Sequence, residues 1–518
     1  MKPLTAGEYY NAPPVIPPAE HPRLFARKSD IPQMRAQLEI KENIEMWKRV
    51  QQNADTDTNC HLDLDPSKPS NHNHSYISVI ESSAFLYLID NNGNRKYGEK
   101  AIECYKNYVN SLVCMTQYTY QTRELGYTMF IGSMVYDWCY DLLSEEDKQL
   151  FINTMISYAM QMEVGWPPVG QGNFTGHGVE DQYMTDLISV AIALYDERPD
   201  LYQLIGGRFF DEIIPAQNFL YAGGALTEGP LYGSLRFGLC VMNQWIFRRM
   251  GYDNLYSREN ENALYAYIMS LKPSGEPIVY GDEYGRNTRG VYSPTAYSFF
   301  VGYTYYKNPY FKYMLYKLNP TGANLGQGNG VISPVLHLLL NVEEVEQKNV
   351  SDLPTALYSG GSSASILAKT TWDDNSSDDG INVRMNFNQY FTGSHEHADS
   401  GMFSIDYKGA LAMDSGIYES APWLDENGKN VTNLAYGSDH DVNYHKQAIA
   451  HNAMLVRGDG QTYTYGYQYS KVDSGGQLGN KVRKSPGGGN TNLLHILWRF
   501  SWKQVTKLPA KTFMSAKR

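Results

Sequence analysis

Residues 394–401 read SHEHADSG, which sets His395 and His397 two residues apart with Glu396 between them and Asp399 just beyond. An imidazole can serve as a general base or as a metal ligand. Residues two apart on a strand face the same side. Asp414, in LAMDSG, and His451, in AIAHNAMLV, fall in neighbouring strand-like stretches. Two imidazoles and a carboxylate from adjacent strands suit a zinc ion whose fourth position is held by water. Spacing alone leaves open which histidine binds. The competing reading is a set of polar residues on an antiparallel sheet. The chain has no HExxH, so a helix-borne zinc protease site is not indicated.

Two further clusters lie earlier in the chain. In GNFTGHGVEDQ (172–182), His177 and Glu180 are three apart where an apolar helix begins. On a helix they share a face, and the glycines allow a ligand close to the backbone. The plainer alternative makes Glu180 a first-turn acid favoured by the helix dipole and His177 an entry residue. In LTEGPLYGSLRF (226–237), Tyr232 follows Gly229-Pro230 at the start of another apolar helix, with Arg236 four residues on. Both could face a cleft; otherwise Tyr232 is an interface tyrosine.

The elements around these clusters divide the chain. From about residue 30 to 340 the apolar periodicity is helical. In SEEDKQLFINTMISYAMQM, Ser144 and Asp147 form a capping pair, followed by Phe151, Met155, Tyr158 and Met162 at helical spacing. ELGYTMFIGSMVYDWCYDLL is apolar nearly all round, which predicts a buried inner helix. Many such helices with short loops predict stacked hairpins, as in an incomplete α/α toroid. After the charged linker 341–354, INVRMNF alternates with period two, and SILAKTTW, MFSIDYKGALAMDSG and AIAHNAMLVRG also read as strands. The expected organisation is an N-terminal extension (1–30), a toroid (31–345) and an antiparallel β-sandwich domain (346–518). Within the last, 485–518 is atypical: no acidic residue follows Asp473. That tail reads either as a basic extension or as a C-terminus cut short or altered.

Bulk properties narrow the function. A chain of 518 residues with 42% hydrophobic and 19% charged residues has room for a large core. No run of 18 apolar residues occurs, so no membrane span is expected. The N-terminal stretch lacks the apolar core of a signal peptide. A net charge of −11 disfavours nucleic acid and, more weakly, a polyanionic ligand. The 42 tyrosines offer flat faces with a hydroxyl, suited to sugars, though most should fill helix interfaces. Five cysteines without CxxC spacing read as buried free thiols.

The three clusters, in this order and with VYDWCYDLLSEEDK, IALYDERPDLYQLIGGRFF, TGHGVE, LYGSLRF, HEHADSGMFSIDYKGALAMDSGIY and AIAHNAMLV, resemble the heparinase II/III-like polysaccharide lyases. The likeness runs from HPRLFARK (21–28) to GGQLGNK (475–481). It implies a toroid with β-sandwich domains and β-elimination on a uronic-acid glycosaminoglycan such as heparin or heparan sulfate. It also implies residue roles. Tyr232 and His395 would move protons, His177 and Glu180 would sit beside the substrate carboxylate, and Tyr436 would be a second active-site tyrosine. Arg123 would bind substrate, and Arg236 could add to a local basic patch with Arg248 and Arg249. His397, Asp414 and His451 would hold one structural zinc ion. A periplasmic or secreted location is implied, an acidic polysaccharide is the expected partner, and a homodimer is the assembly to test. Three features depart from the family pattern: no visible export signal, no further C-terminal β domain, and the acidic net charge. Alternatives are therefore a lyase for alginate or another uronate polymer, a catalytically silent glycan-binding protein or inactive fragment, and, more weakly, a metal-dependent hydrolase centred on His395 and His397.

Overall fold

The computed structural model describes residues 10–453 except 91–92, 116–119, 169–175, 181, 225, 227, 254, 283–292, 320–331, 362, 373–379, 389–393, 416–417, 419–422 and 439. The 485–518 tail and the end of the family-like stretch lie outside the described residues. The chain forms two compact units. One comprises residues up to 218 with Leu235–Ser257 and Ser293–Lys348; the other comprises Phe219–Ser234, Arg258–Tyr292 and residues from 349 on. A helical N-terminal region followed by an antiparallel sheet is the order expected of the toroid-plus-sandwich class.

In the helical unit, His74–Ile89, Arg95–Ser111, Gln121–Trp138 and Glu145–Ala159 pack in succession as helical hairpins. Local chemistry sets their starts. Asn73 accepts hydrogen bonds from the N–H groups of Ser75 and Tyr76, and Ser144 and Asp147 form the reciprocal cap anticipated from their spacing. Gln121–Trp138 is buried from Leu125 onward on almost every side, as its unbroken apolar sequence requires. The N-terminal segment docks onto that helix. The buried Asp137 carboxylate takes the N–H groups of Arg23 and Leu24 at 2.9 and 2.8 Å and lies 2.7 Å from Nδ1 of His21. All five cysteines carry free thiols.

The second unit is built on a five-stranded antiparallel sheet in sequence order: β1 (Ala356–Ser359), β2 (Ser363–Lys369), β3 (Asn382–Asn388), β4 (Phe403–Asp406) and β5 (Ala410–Ala412). A two-stranded ribbon, β6 (Trp423–Leu424) and β7 (Asn430–Thr432), follows. The helix Asn262–Ser270 covers β1 and β2, with Ala266 and Met269 against Leu367. The buried Lys369 ammonium caps that helix's end by donating to the Leu271 carbonyl at 2.7 Å.

Strand β3 keeps its period of two, but its more deeply buried face is polar. Asn382, Arg384 and Asn386 are buried, whereas Val383, Met385 and Phe387 are only partly so. Arg384 lies 3.2 Å over the Tyr280 ring and donates to Asn386 Oδ1 at 2.6 Å. This face carries an interaction network that an apolar side chain could not make.

Two strand expectations need correction. His395 and His397 are not on a strand: they lie in the connection between β3 and β4, entered through Ser394 at φ 55°. Nor does AIAHNAMLV begin as a strand. Ala448–Ala450 is a 3₁₀ turn closed by the Ala450 N–H on the Gln447 carbonyl, and His451 follows it. Ala448 and Ala450 are buried while Ile449 is exposed, which imitates strand alternation in a turn.

Candidate active site and metal centre

The second unit gathers its histidines around a residue from a distant part of the sequence, Asp282. Backbone approach places it. Gly281 has φ 68°, and a Cβ there would stand 2.7 Å from the Glu228 carbonyl carbon. Only glycine tolerates both. The Asp282 N–H then donates to the His395 carbonyl at 3.2 Å, and the His395 N–H reaches Glu228 Oε1 at 3.4 Å.

The Asp282 carboxylate is fully buried and shared. Oδ2 lies 2.6 Å from Nδ1 of His395, while Oδ1 lies 2.8 Å from Nε2 of His397 and 3.0 Å from Nε2 of His445. The Lys446 ammonium stands 3.4 Å from Oδ2 and 3.7 Å from Asp441. Burial alone would raise the Asp282 pKa, but Lys446 and the three imidazoles hold it well below the usual carboxylate range.

Against this base His395 presents its ring face to Tyr232. The two rings stack with centroids 3.5 Å apart and planes 4° from parallel. Tyr418 stands edge-on to both, its hydroxyl 3.4 Å from that of Tyr232. Tyr436 lies 5.1 Å from His395 and under the Lys446 ammonium at 4.0 Å. Burial lowers the His395 pKa against the pull of Asp282, which favours the neutral imidazole. Burial raises the Tyr436 phenol against the opposing effect of Lys446.

Asp414 and His451 meet His397 on the side of its ring away from Asp282. All three are buried, and their ligand atoms lie within 4.8 Å of one another. The convergence has a local cause. Ser415 holds the Ala450 carbonyl by its N–H at 2.9 Å and its hydroxyl at 2.7 Å, which brings Asp414 beside His451. His397 Nδ1 and His451 Nδ1 stand 3.6 and 3.1 Å from Asp414 Oδ2, yet neither ring nitrogen makes a well-formed hydrogen bond. Burial disfavours a charged His397, but Asp282 and Asp414 push its pKa up to about 10. The pocket calls for positive charge, which a proton or a divalent cation would supply. The donor set fits a metal: two imidazoles and a carboxylate, with a position left for water. Asp282, His397 and His445 form a second group with the same capacity.

Asp399, also buried, serves the scaffold: it accepts from Asn386 and Asn388 at 2.6 and 2.7 Å. Glu396 is buried as well.

The remaining expected residues lie in the helical unit. His177 begins the four-residue helix His177–Glu180. Glu180 is buried and pairs with Arg236, whose Nε is 3.3 Å from Oε2, and accepts from Gln217 at 3.2 Å. Arg123 is in the first turn of Gln121–Trp138, 5.4 Å from the Tyr120 ring. Arg248 is engaged by Asp253 at 2.7 Å and Arg249 by Asp30 at 3.5 Å, so both have structural partners.

Asp282, Glu228, Tyr418, His445 and Lys446 escaped the sequence reading. Their segments carry no periodicity, and their meaning comes from contacts such as Asp282 to His395, 113 residues apart.

No family model matches the chain, and no curated protein matches it. Among solved structures it is similar to the heparan sulfate lyase HepC from Pedobacter heparinus (12% identity, TM-score 0.40, covering 68% of this chain and 50% of that one). It is also similar to a heparinase III (14% identity, TM-score 0.41, covering 79% and 62%). The chain thus spans between half and two thirds of the length of these structures. Among the described residues, no helix is long and apolar enough to cross a membrane.

Proposed function

We propose that the protein is a polysaccharide lyase of the heparinase II/III-like family, with motifs like those of heparinase II, that cleaves a uronic-acid glycosaminoglycan of the heparin or heparan sulfate type. The observation that carries this reading is the Tyr232–His395 stack, anchored by Asp282 and flanked by Tyr436.

β-Elimination removes the C5 proton of a uronate and expels the sugar linked at O4. It needs one group to take a proton and another to deliver one. A neutral His395, hydrogen-bonded through Nδ1 to Asp282, has Nε2 as its basic nitrogen. Tyr232 in its ordinary phenol form can protonate O4; for the uronate epimer whose C5–H lies on the opposite face it starts as the phenolate, takes the C5 proton and passes that proton to O4 as the bond breaks. Tyr436 lies near His395 and serves as a second active-site tyrosine. In the helical unit, Glu180 and His177 are assigned to the substrate carboxylate, and Arg123 and Arg236 to substrate binding. The Glu180–Arg236 pair suits a charged Glu180, so a hydrogen bond donated from Glu180 requires a proton gained on substrate binding.

Zinc is the proposed occupant of His397, Asp414 and His451, where it would tie the β3–β4 connection to the ends of two later segments. A periplasmic or secreted location and a homodimer belong to the same proposal. Incubation with heparin, heparan sulfate, chondroitin, hyaluronan and alginate tests it. A rise in ultraviolet absorbance from C4–C5 unsaturated uronate on the first two is expected. A rise on alginate alone would move the substrate class, and no rise on any would favour a silent glycan-binding protein.

A further inference from the structure

We infer that Asp282 is a positioning residue that sets opposite tautomers on two histidines, and so couples the metal centre to the proton-transfer pair. The inference rests on the roles proposed for His395 as base and His397 as ligand.

A carboxylate has two oxygens and only accepts hydrogen bonds. Asp282 faces a different histidine with each: His395 through Nδ1 at 2.6 Å on Oδ2, and His397 through Nε2 at 2.8 Å on Oδ1. A neutral imidazole has one N–H. Placing it toward Asp282 leaves Nε2 of His395 as the basic nitrogen. With a metal ion in place of the second proton, the same rule would leave Nδ1 of His397 as the basic nitrogen, and that is the atom turned toward Asp414. Two rings only two residues apart are thus given opposite tautomers by one anion. Carboxylates behind ligating histidines fix ring orientation and ligand basicity in this way.

The anion itself is fixed from three sides. The Asp282 N–H donates to the His395 carbonyl, Lys446 stands 3.4 Å from Oδ2, and His445 Nε2 lies 3.0 Å from Oδ1. Lys446 also donates to the Ser394 carbonyl at 2.6 Å, next to His395. The two rings thus bear on opposite oxygens of one carboxylate that is held in place, so the position of Asp282 orients both His397 and His395.

Two measurements test the inference. In the zinc-loaded wild type, ¹⁵N spectra of the imidazoles should show His395 protonated at Nδ1 and His397 at Nε2; the opposite tautomer at either ring overturns it. In Asp282→Asn, zinc affinity, read by competition with a chromogenic chelator, should fall about 10- to 100-fold. In the same variant kcat should fall by about 100-fold or more, with KM little changed. Unchanged zinc affinity, or a change confined to KM, overturns it. Loss of zinc as complete as in His397→Ala also overturns it, because Asp282 would then be a ligand, as the alternative group with His445 allows. The tautomer and zinc readouts need no turnover. They decide the role of Asp282 even if the wild type proves inactive on every uronate polymer, which would instead sink the lyase reading.

Discussion

Tyr232 and His395 lie face to face, 3.5 Å between ring centroids and 4° from parallel. Stacked rings do not pass a proton between them, so under the proposed lyase function each would serve a separate atom of the substrate. If the two bases answer to two epimers, Tyr232→Phe should abolish cleavage beside both uronates, because the acid is lost. His395→Ala should remove about 100-fold or more of the rate beside one epimer and much less beside the other. Defined glucuronate and iduronate oligosaccharides, followed by unsaturated product, check this. Equal losses on both with His395→Ala would reject the division.

Metal removal should loosen the fold of the second unit. A ligand bound at 100 times its Kd stabilises by about 2.7 kcal/mol, so chelation should lower the thermal midpoint by several degrees and activity with it. Asp414→Ala should start from the lower midpoint and show no further drop with chelator. Metal analysis and calorimetry on the pair measure both. Activity lost with an unchanged midpoint would point to a catalytic metal.

In the helical unit, Glu81 supplies a pH effect on stability. It is fully buried with Ser333 Oγ at 2.6 Å, and burial raises its pKa to about 7 against that hydrogen bond. Below the ordinary carboxylate pKa both folded and unfolded chains are protonated, and no stability is lost. As pH rises toward 7 the unfolded chain ionises first, and stability falls by up to about 3 kcal/mol. Glu81→Gln should flatten this fall, so denaturant midpoints of variant and wild type should draw closest at pH 5 and differ most, in the variant's favour, at pH 8.

Gly281→Ala should be costly for its size. The residue sits at φ 68° with backbone 2.7 Å from the new Cβ. Strain of this kind costs on the order of 1–3 kcal/mol. Relief would move Asp282, so activity should fall further than global stability accounts for. Urea unfolding and turnover, measured together, separate the two.

The helical half was readable because its signals are local. The Ser144–Asp147 cap and the wholly apolar Gln121–Trp138 helix follow from neighbours in sequence. The convergence of His397, Asp414 and His451 matches a set named from motif likeness, but the strands imagined to carry it are a loop and a 3₁₀ turn. What brings them together is Ser415 on the Ala450 carbonyl, a contact no periodicity encodes. Asp282 was illegible for the same reason. So was the buried face of β3, where Arg384 and Asn386 displace the apolar set because they have partners there.

Those partners also explain how the connection bearing His395 is held. Lys446 grips it at the Ser394 and Ala398 ends, while Asn386 and Asn388 grip Asp399. Ordering a rotamer-rich side chain at the moment of binding costs about 0.5–1.5 kcal/mol. Here that entropy is lost during folding, before a ligand arrives. Under the proposed lyase function, binding energy drawn from distant sugar units would then act on the reacting ring, and shortening the oligosaccharide should depress kcat as well as affinity.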